Sequence, residues 1–320
     1  MKEWKRTAQE KAFQEVVAPS QPAPSAEAVR IGLLIACDNC EGVDASFDEA
    51  FQKFLAAARE DLAGHTRGPL WKRQQIELTL RILDQGDVPP FNISKLPPAL
   101  EVASEITIVA APGTGKTIKV LQLTRFALAE GTIVPLYFRL GDVSESDGGL
   151  FGAWRRRPAF QGIPDAYFER LAERGRILLV LDGWNELEPS AQRQIRLSLE
   201  QVRRDWPHLR VIVTTRQQVL DVPVSGPRLA IEPLSEAQQM AIARALAGEP
   251  GAKIVGEANR TDGVRQLIAT PLYLSALLAS GTGRALPTTK EGLLRLFIET
   301  HERAPEHAEA LNASLLVVPV

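Results

Sequence analysis

The stretch Ile106-Thr107-Ile108-Val109-Ala110-Ala111-Pro112-Gly113-Thr114-Gly115-Lys116-Thr117 decides the fold. Ile106 to Ala110 is a short β-branched, apolar run, the pattern of a buried strand. Pro112 to Gly115 is a turn with glycines where backbone must approach a ligand closely. Lys116-Thr117 then opens an amphipathic helix. Strand, glycine-rich turn, Lys-Thr and helix together make the P-loop plan. Successive backbone N–H groups from Ala111 through Pro112, Gly113, Thr114, Gly115, Lys116, Thr117 and Ile118, proline excepted, can cradle phosphate oxygens at a helix N-terminus. Lys116 can reach the β- and γ-phosphates, and the Thr117 hydroxyl can ligate Mg²⁺. One departure is visible: Ala110 stands where the motif's first glycine is expected.

Downstream, Arg176 to Leu181 is the most apolar strand pattern in the chain, and Asp182-Gly183-Trp184-Asn185-Glu186 follows it. A buried parallel strand ending in Asp is the Walker B plan, because strand C-termini meet at the sheet edge where ligands bind. Asp182 is predicted to hold Mg²⁺ opposite Thr117. Glu186 is predicted to orient or deprotonate the attacking water, with acidic Glu188 close by. Leu209 to Thr214 reads as a further strand with Arg216 beyond its end, placed to sense the γ-phosphate. Strands are also expected at Ile133–Phe138 and Arg228–Ile231. The sum is an α/β chain: a P-loop NTPase core with a central five-stranded parallel sheet and helices on both faces.

From Leu234 the pattern becomes helical. Ser235 caps one helix to Ala247, Asp262 caps another, Pro271 takes the N1 position of a third, and a last helix covers about Lys290 to Glu302. Before the core, the pattern over residues 1–17 allows one short amphipathic helix, with a disordered end as the favoured reading. A Pro/Ser linker follows at Ala18–Ser25 and a strand at Val29–Ala36. Further helices are expected from Ser46, by a capping box with Glu49, and over Trp71–Leu83. These signals divide the chain into a tail and linker (1–26), a small α-rich module (27–98), the NTPase core (99–233) and a helical domain (234–320).

Composition narrows the function classes. The 320 residues carry a formal charge of −2, which gives no global field for nucleic acid. Arg155-Arg156-Arg157 is the one basic cluster, and it reads as a solvated face. No apolar run reaches the ~18 residues of a membrane span. Met1–Arg6 mixes charge signs and lacks the pattern of a secretory signal, and the chain has two cysteines, so the cytoplasm is the expected compartment. Cys37 and Cys40 form a C-x-x-C with no second pair, which falls short of the about four ligands of a zinc site.

From about Ala103 to Glu302 the motifs resemble, in order and spacing, the NACHT-type members of the STAND P-loop NTPases, signalling ATPases of innate-immune and antiviral proteins. The resemblance is carried by Ala110–Thr117, Val134–Leu140, Leu178–Leu187, Val211–Arg216, Glu232–Gln238, Ala269–Leu278 and Leu286–Leu293. It implies ATP and Mg²⁺ as cofactors and Pro271 packing near the adenine. It further implies slow hydrolysis, with nucleotide state coupled to domain rearrangement and self-association, in antiviral or stress defence. The family usually has two acidic residues where this chain has Asn185-Glu186, which leaves Glu186 to act alone. It also continues into a sensor of repeats, so the chain is expected to be truncated or sensor-less. A non-hydrolysing, ATP-gated scaffold is the alternative reading, and a DNA-acting motor a weaker third.

Overall fold

A computed structural model describes residues 45–65, 79–83, 89–100, 102–144, 149–216, 219, 221–279 and 289–302. The expectations for residues 1–44, including Cys37 and Cys40, and for most of the Trp71–Leu83 helix fall outside these residues.

A seven-stranded sheet organises the first of two compact units. Its strands are β1 (Thr79–Ile82), β2 (Phe91–Asn92), β3 (Glu105–Ala110), β4 (Val134–Arg139), β5 (Ile177–Asp182), β6 (Arg210–Arg216) and β7 (Arg228–Ile231), in the spatial order β2-β1-β7-β3-β6-β5-β4. The five strands from β7 to β4 run parallel, as the sequence predicts. The strand count does not match: β1 and β2 add an antiparallel margin on β7. The helix expected to reach Leu83 is corrected by the same finding. Thr79-Leu80-Arg81-Ile82 alternates, burying Leu80 and Ile82 and exposing Arg81, the period-2 signature of a strand with one wet face.

The central strands bury both faces, so they read as continuous apolar runs; all six residues of β5 are buried. Helix α1 (Ala45–His65) belongs to this unit. So do most of α2 (Lys116–Glu130), α3 (Gly149–Arg155), α4 (Asp165–Glu173) and α5 (Pro189–Asp205). Phe54 of α1 is fully buried against Trp154, Phe160 and Phe168, with ring centroids 5.8, 5.9 and 6.3 Å away. Arg59 donates to the Leu128 carbonyl near the end of α2 at 3.3 Å.

The second unit comprises Ala111–Lys116 and the chain from Glu232 onward. Its helices are α6 (Glu236–Ala258), α7 (Pro271–Ala279) and α8 (Lys290–Glu302), with a short helix at Arg265–Ile268. Ser235 forms the expected capping box, with Gln238 as its partner. Gly248, at φ 63°, breaks the helical run where the sequence ends it, and the helix resumes as far as Ala258. Asp262 is not a cap: the short helix starts from Val264. Ile242, Val255, Ile268, Leu274, Leu277 and Leu293 form this unit's core.

Candidate functional site

Asp182 ends β5 with its side chain only 3% exposed. The register Leu181↔Val213 sets it beside Thr214, and Arg139↔Asp182 sets Tyr137 on the same sheet face, two residues back along β4. Three hydroxyls converge on the carboxylate. Thr117 donates to Oδ2 at 2.8 Å and Tyr137 to the same oxygen at 3.2 Å. Thr214 donates to Oδ1 at 2.5 Å and accepts the Gly183 N–H at 3.0 Å. Burial, with the Asp182 charge as a second cause, pushes the Tyr137 phenol well above its usual range, so it remains a donor. The predicted pair Thr117 and Asp182 is therefore in contact, and hydroxyl plus carboxylate is the hard-oxygen chemistry that suits Mg²⁺.

Sequence reasoning missed Tyr137 and Thr214. Thr214 reads as one more β-branched strand residue. Tyr137 carries a faint signal, a hydroxyl within an otherwise apolar, fully buried strand pattern.

The residue after Asp182 must be small for two reasons. Gly183 sits at φ 95°, and a Cβ there would lie 3.0 Å from the Glu186 carboxylate. Glu186 folds back over this glycine, its N–H bonded to the Gly183 carbonyl at 2.8 Å, and it is exposed. Trp184 anchors the turn: it is buried, and its Nε1 donates to the Asp221 carbonyl at 2.8 Å. Glu188 instead takes the N-cap position of α5. Arg216, the last residue of β6, is exposed.

In the second unit, the loop from Ala111 is held by Thr114, whose hydroxyl donates to the Ala111 carbonyl at 2.8 Å. Gly113 adopts φ 80°, and a Cβ there would meet the Leu272 Cβ at 3.1 Å. The Gly113 carbonyl accepts the Leu272 N–H at 3.2 Å. Pro271 is the first residue of α7, as expected, and the start of this helix lies on the loop. Lys116 opens α2, and Ile118 is partly exposed.

Two further groups bear on the chemistry. Lys119 in α2 is 2% exposed and its ammonium has no hydrogen-bond partner among the described residues; desolvation brings its pKa down to about 8. The basic cluster is largely neutralised: Arg155 pairs with Asp165, and Arg157 with Asp61. No described helix is long and apolar enough to cross a membrane.

No family model matches the chain, and no curated protein does. Among solved structures it is similar to a chain of the HORMA:CdnC:Trip13 complex of E. coli MS115-1 (12% identity, 89% of this chain and 96% of that one, TM-score 0.37). It is also similar to Cdc6p from Pyrobaculum aerophilum (20%, 55% and 54%, TM-score 0.37). A third is a Signal Transduction ATPase with Numerous Domains protein with a tetratricopeptide repeat sensor from Pyrococcus horikoshii (13%, 68% and 32%, TM-score 0.39). The chain thus spans about a third of the length of that last protein and about half of Cdc6p.

Proposed function

We propose that this chain is a nucleotide-dependent switch that binds ATP with Mg²⁺ and hydrolyses it slowly. The observation that carries the reading is the Thr117–Asp182 hydrogen bond: the hydroxyl of the loop's Lys-Thr pair meets the buried carboxylate that ends β5. In this reading the backbone of Ala111–Ile118 and Lys116 hold the phosphates, and Pro271 lies near the base. Thr117 and Asp182 hold the cation, which when bound neutralises phosphate charge. Glu186 orients and deprotonates the attacking water, and Arg216 senses the γ-phosphate. The turn at Gly183 favours Glu186 over Glu188, because Glu186 is tethered one short turn from Asp182 while Glu188 begins α5.

The test is equilibrium binding of a fluorescent ATP analogue together with steady-state turnover. Lys116→Ala is expected to abolish binding; retained affinity would remove the loop from the site. Glu186→Gln is expected to bind ATP normally and lose about 10²-fold or more in turnover. Wild-type turnover in that variant would remove Glu186 from the mechanism. Absence of Mg²⁺-dependent turnover in the unsubstituted chain would favour the second reading, a non-hydrolysing ATP-gated scaffold, which Asn185 supports because an amide cannot serve as a second base. Self-association is part of the switch reading through the STAND resemblance. ATP with Mg²⁺ should raise the sedimentation coefficient of Glu186→Gln, and an unchanged monomer would remove that part alone.

A further inference from the structure

We propose that Tyr137 is a positioning residue for the Asp182 carboxylate, and that helix α1 acts on the cation site through it. The proposal rests on the reading of Asp182 as a cation ligand.

Tyr137 is 3% exposed, and its hydroxyl donates to Oδ2 of Asp182, the oxygen that also receives Thr117. A donor on this oxygen fixes the carboxylate plane, as outer-shell partners of metal ligands generally do. What holds Tyr137 comes from outside the sheet. The His65 ring meets its ring edge-on, with centroids 5.0 Å apart at 69°. Arg157 donates through one nitrogen to the Tyr137 carbonyl at 2.6 Å and to Asp61 Oδ2 at 2.7 Å, and its guanidinium covers the Phe138 ring at 4.7 Å. Asp61 and His65 stand one turn apart at the end of α1, 3.8 Å from each other. The last turn of α1 therefore grips Tyr137 by ring and backbone, and Tyr137 touches the site. An aromatic needed only for packing would not need its hydroxyl, so the hydroxyl is what the test removes.

Tyr137→Phe keeps the ring and deletes the donor. Affinity for a fluorescent ATP analogue in EDTA and the Mg²⁺ concentration that half-saturates turnover, or half-saturates nucleotide tightening if turnover is too slow, are measured on the full chain. The expected result is unchanged affinity in EDTA and a half-saturating Mg²⁺ raised about 10-fold. His65→Ala should move the Mg²⁺ requirement in the same direction in the wild-type background and not at all in the Tyr137→Phe background. An unchanged Mg²⁺ requirement in Tyr137→Phe overturns the proposal, and additive effects of the two substitutions overturn the role of α1. Asp182→Asn separates this from the underlying reading. If that variant loses its Mg²⁺ dependence while Tyr137→Phe behaves as wild type, only the proposal fails. If Asp182→Asn keeps a wild-type Mg²⁺ dependence, the cation-ligand reading fails and the proposal with it.

Discussion

At the scale of single residues, Gly183 is constrained twice. Its φ of 95° disfavours any side chain, and a Cβ there would lie 3.0 Å from a Glu186 carboxylate oxygen, which would have to shift. Gly183→Ala should cost about 1–2 kcal/mol by the backbone term alone and displace Glu186. Thermal denaturation should register the first effect and turnover the second, with ATP-analogue affinity kept; full turnover would mean that Glu186 does not act from this turn. Lys119 bears the opposite kind of cost. Its pKa of about 8 lies below the usual 10.5. The unfolded chain therefore binds more protons between those values, and stability rises with pH across that window. Below pH 8 the whole penalty applies, about 3 kcal/mol. Lys119→Met should raise stability near neutral pH and remove the rise between pH 8 and 10.5, both read from denaturant midpoints. These residues also mark how far the sequence alone could be read. The Thr117–Asp182 contact was legible because each residue sits in a motif, and the P-loop and Walker B plans set the two side by side. Tyr137 and Thr214 were not, because their role depends on strand register, and register is set by pairing between segments far apart in the chain.

At the scale of elements, the parallel strands were legible for the reason that they are stable: burial on both faces demands unbroken aliphatic runs, and such runs stand out in sequence. The margin strand β1 was not, because four residues of alternation look like one turn of an amphipathic helix, and its pairing with β7 is what decides. Helix α1 shows how an element joins the sheet without contributing to it. Its docking centres on Phe54, enclosed by three other aromatics, with Leu55 and Leu62 buried beside it. Phe54→Ala should cost about 3–5 kcal/mol in chemical denaturation. Because Asp61 and His65 lie on the same helix, the loss should also raise the Mg²⁺ requirement. A destabilised variant with unchanged Mg²⁺ dependence would confine α1 to a packing role.

At the scale of the whole molecule, the informative fact is how the phosphate loop is divided from its neighbours. The chain leaves β3 at Ala110, and Ala111–Lys116 then group with the helices that begin at Glu232. The Gly113 carbonyl accepts the Leu272 N–H, and a Cβ at Gly113 would crowd Leu272 at 3.1 Å. A ligand that orders the loop must therefore also order the start of α7. Under the proposed function, ATP at about 100 times its Kd should stabilise the native chain by about 2.7 kcal/mol. Hydrogen exchange should locate that gain. Amides of Gly113, Thr114 and Gly115 should slow together with those of Leu272, Tyr273 and Leu274, while amides of α4, in the first unit, serve as the reference. Omitting Mg²⁺ should leave this α7 protection in place and reduce protection at Gly183 and Glu186, because the cation contacts belong to the β5 end of the sheet. Protection confined to the loop, with α7 exchanging as in the free protein, would show that nucleotide occupancy is not passed from the loop to α7, and the domain-rearrangement part of the switch reading would fall.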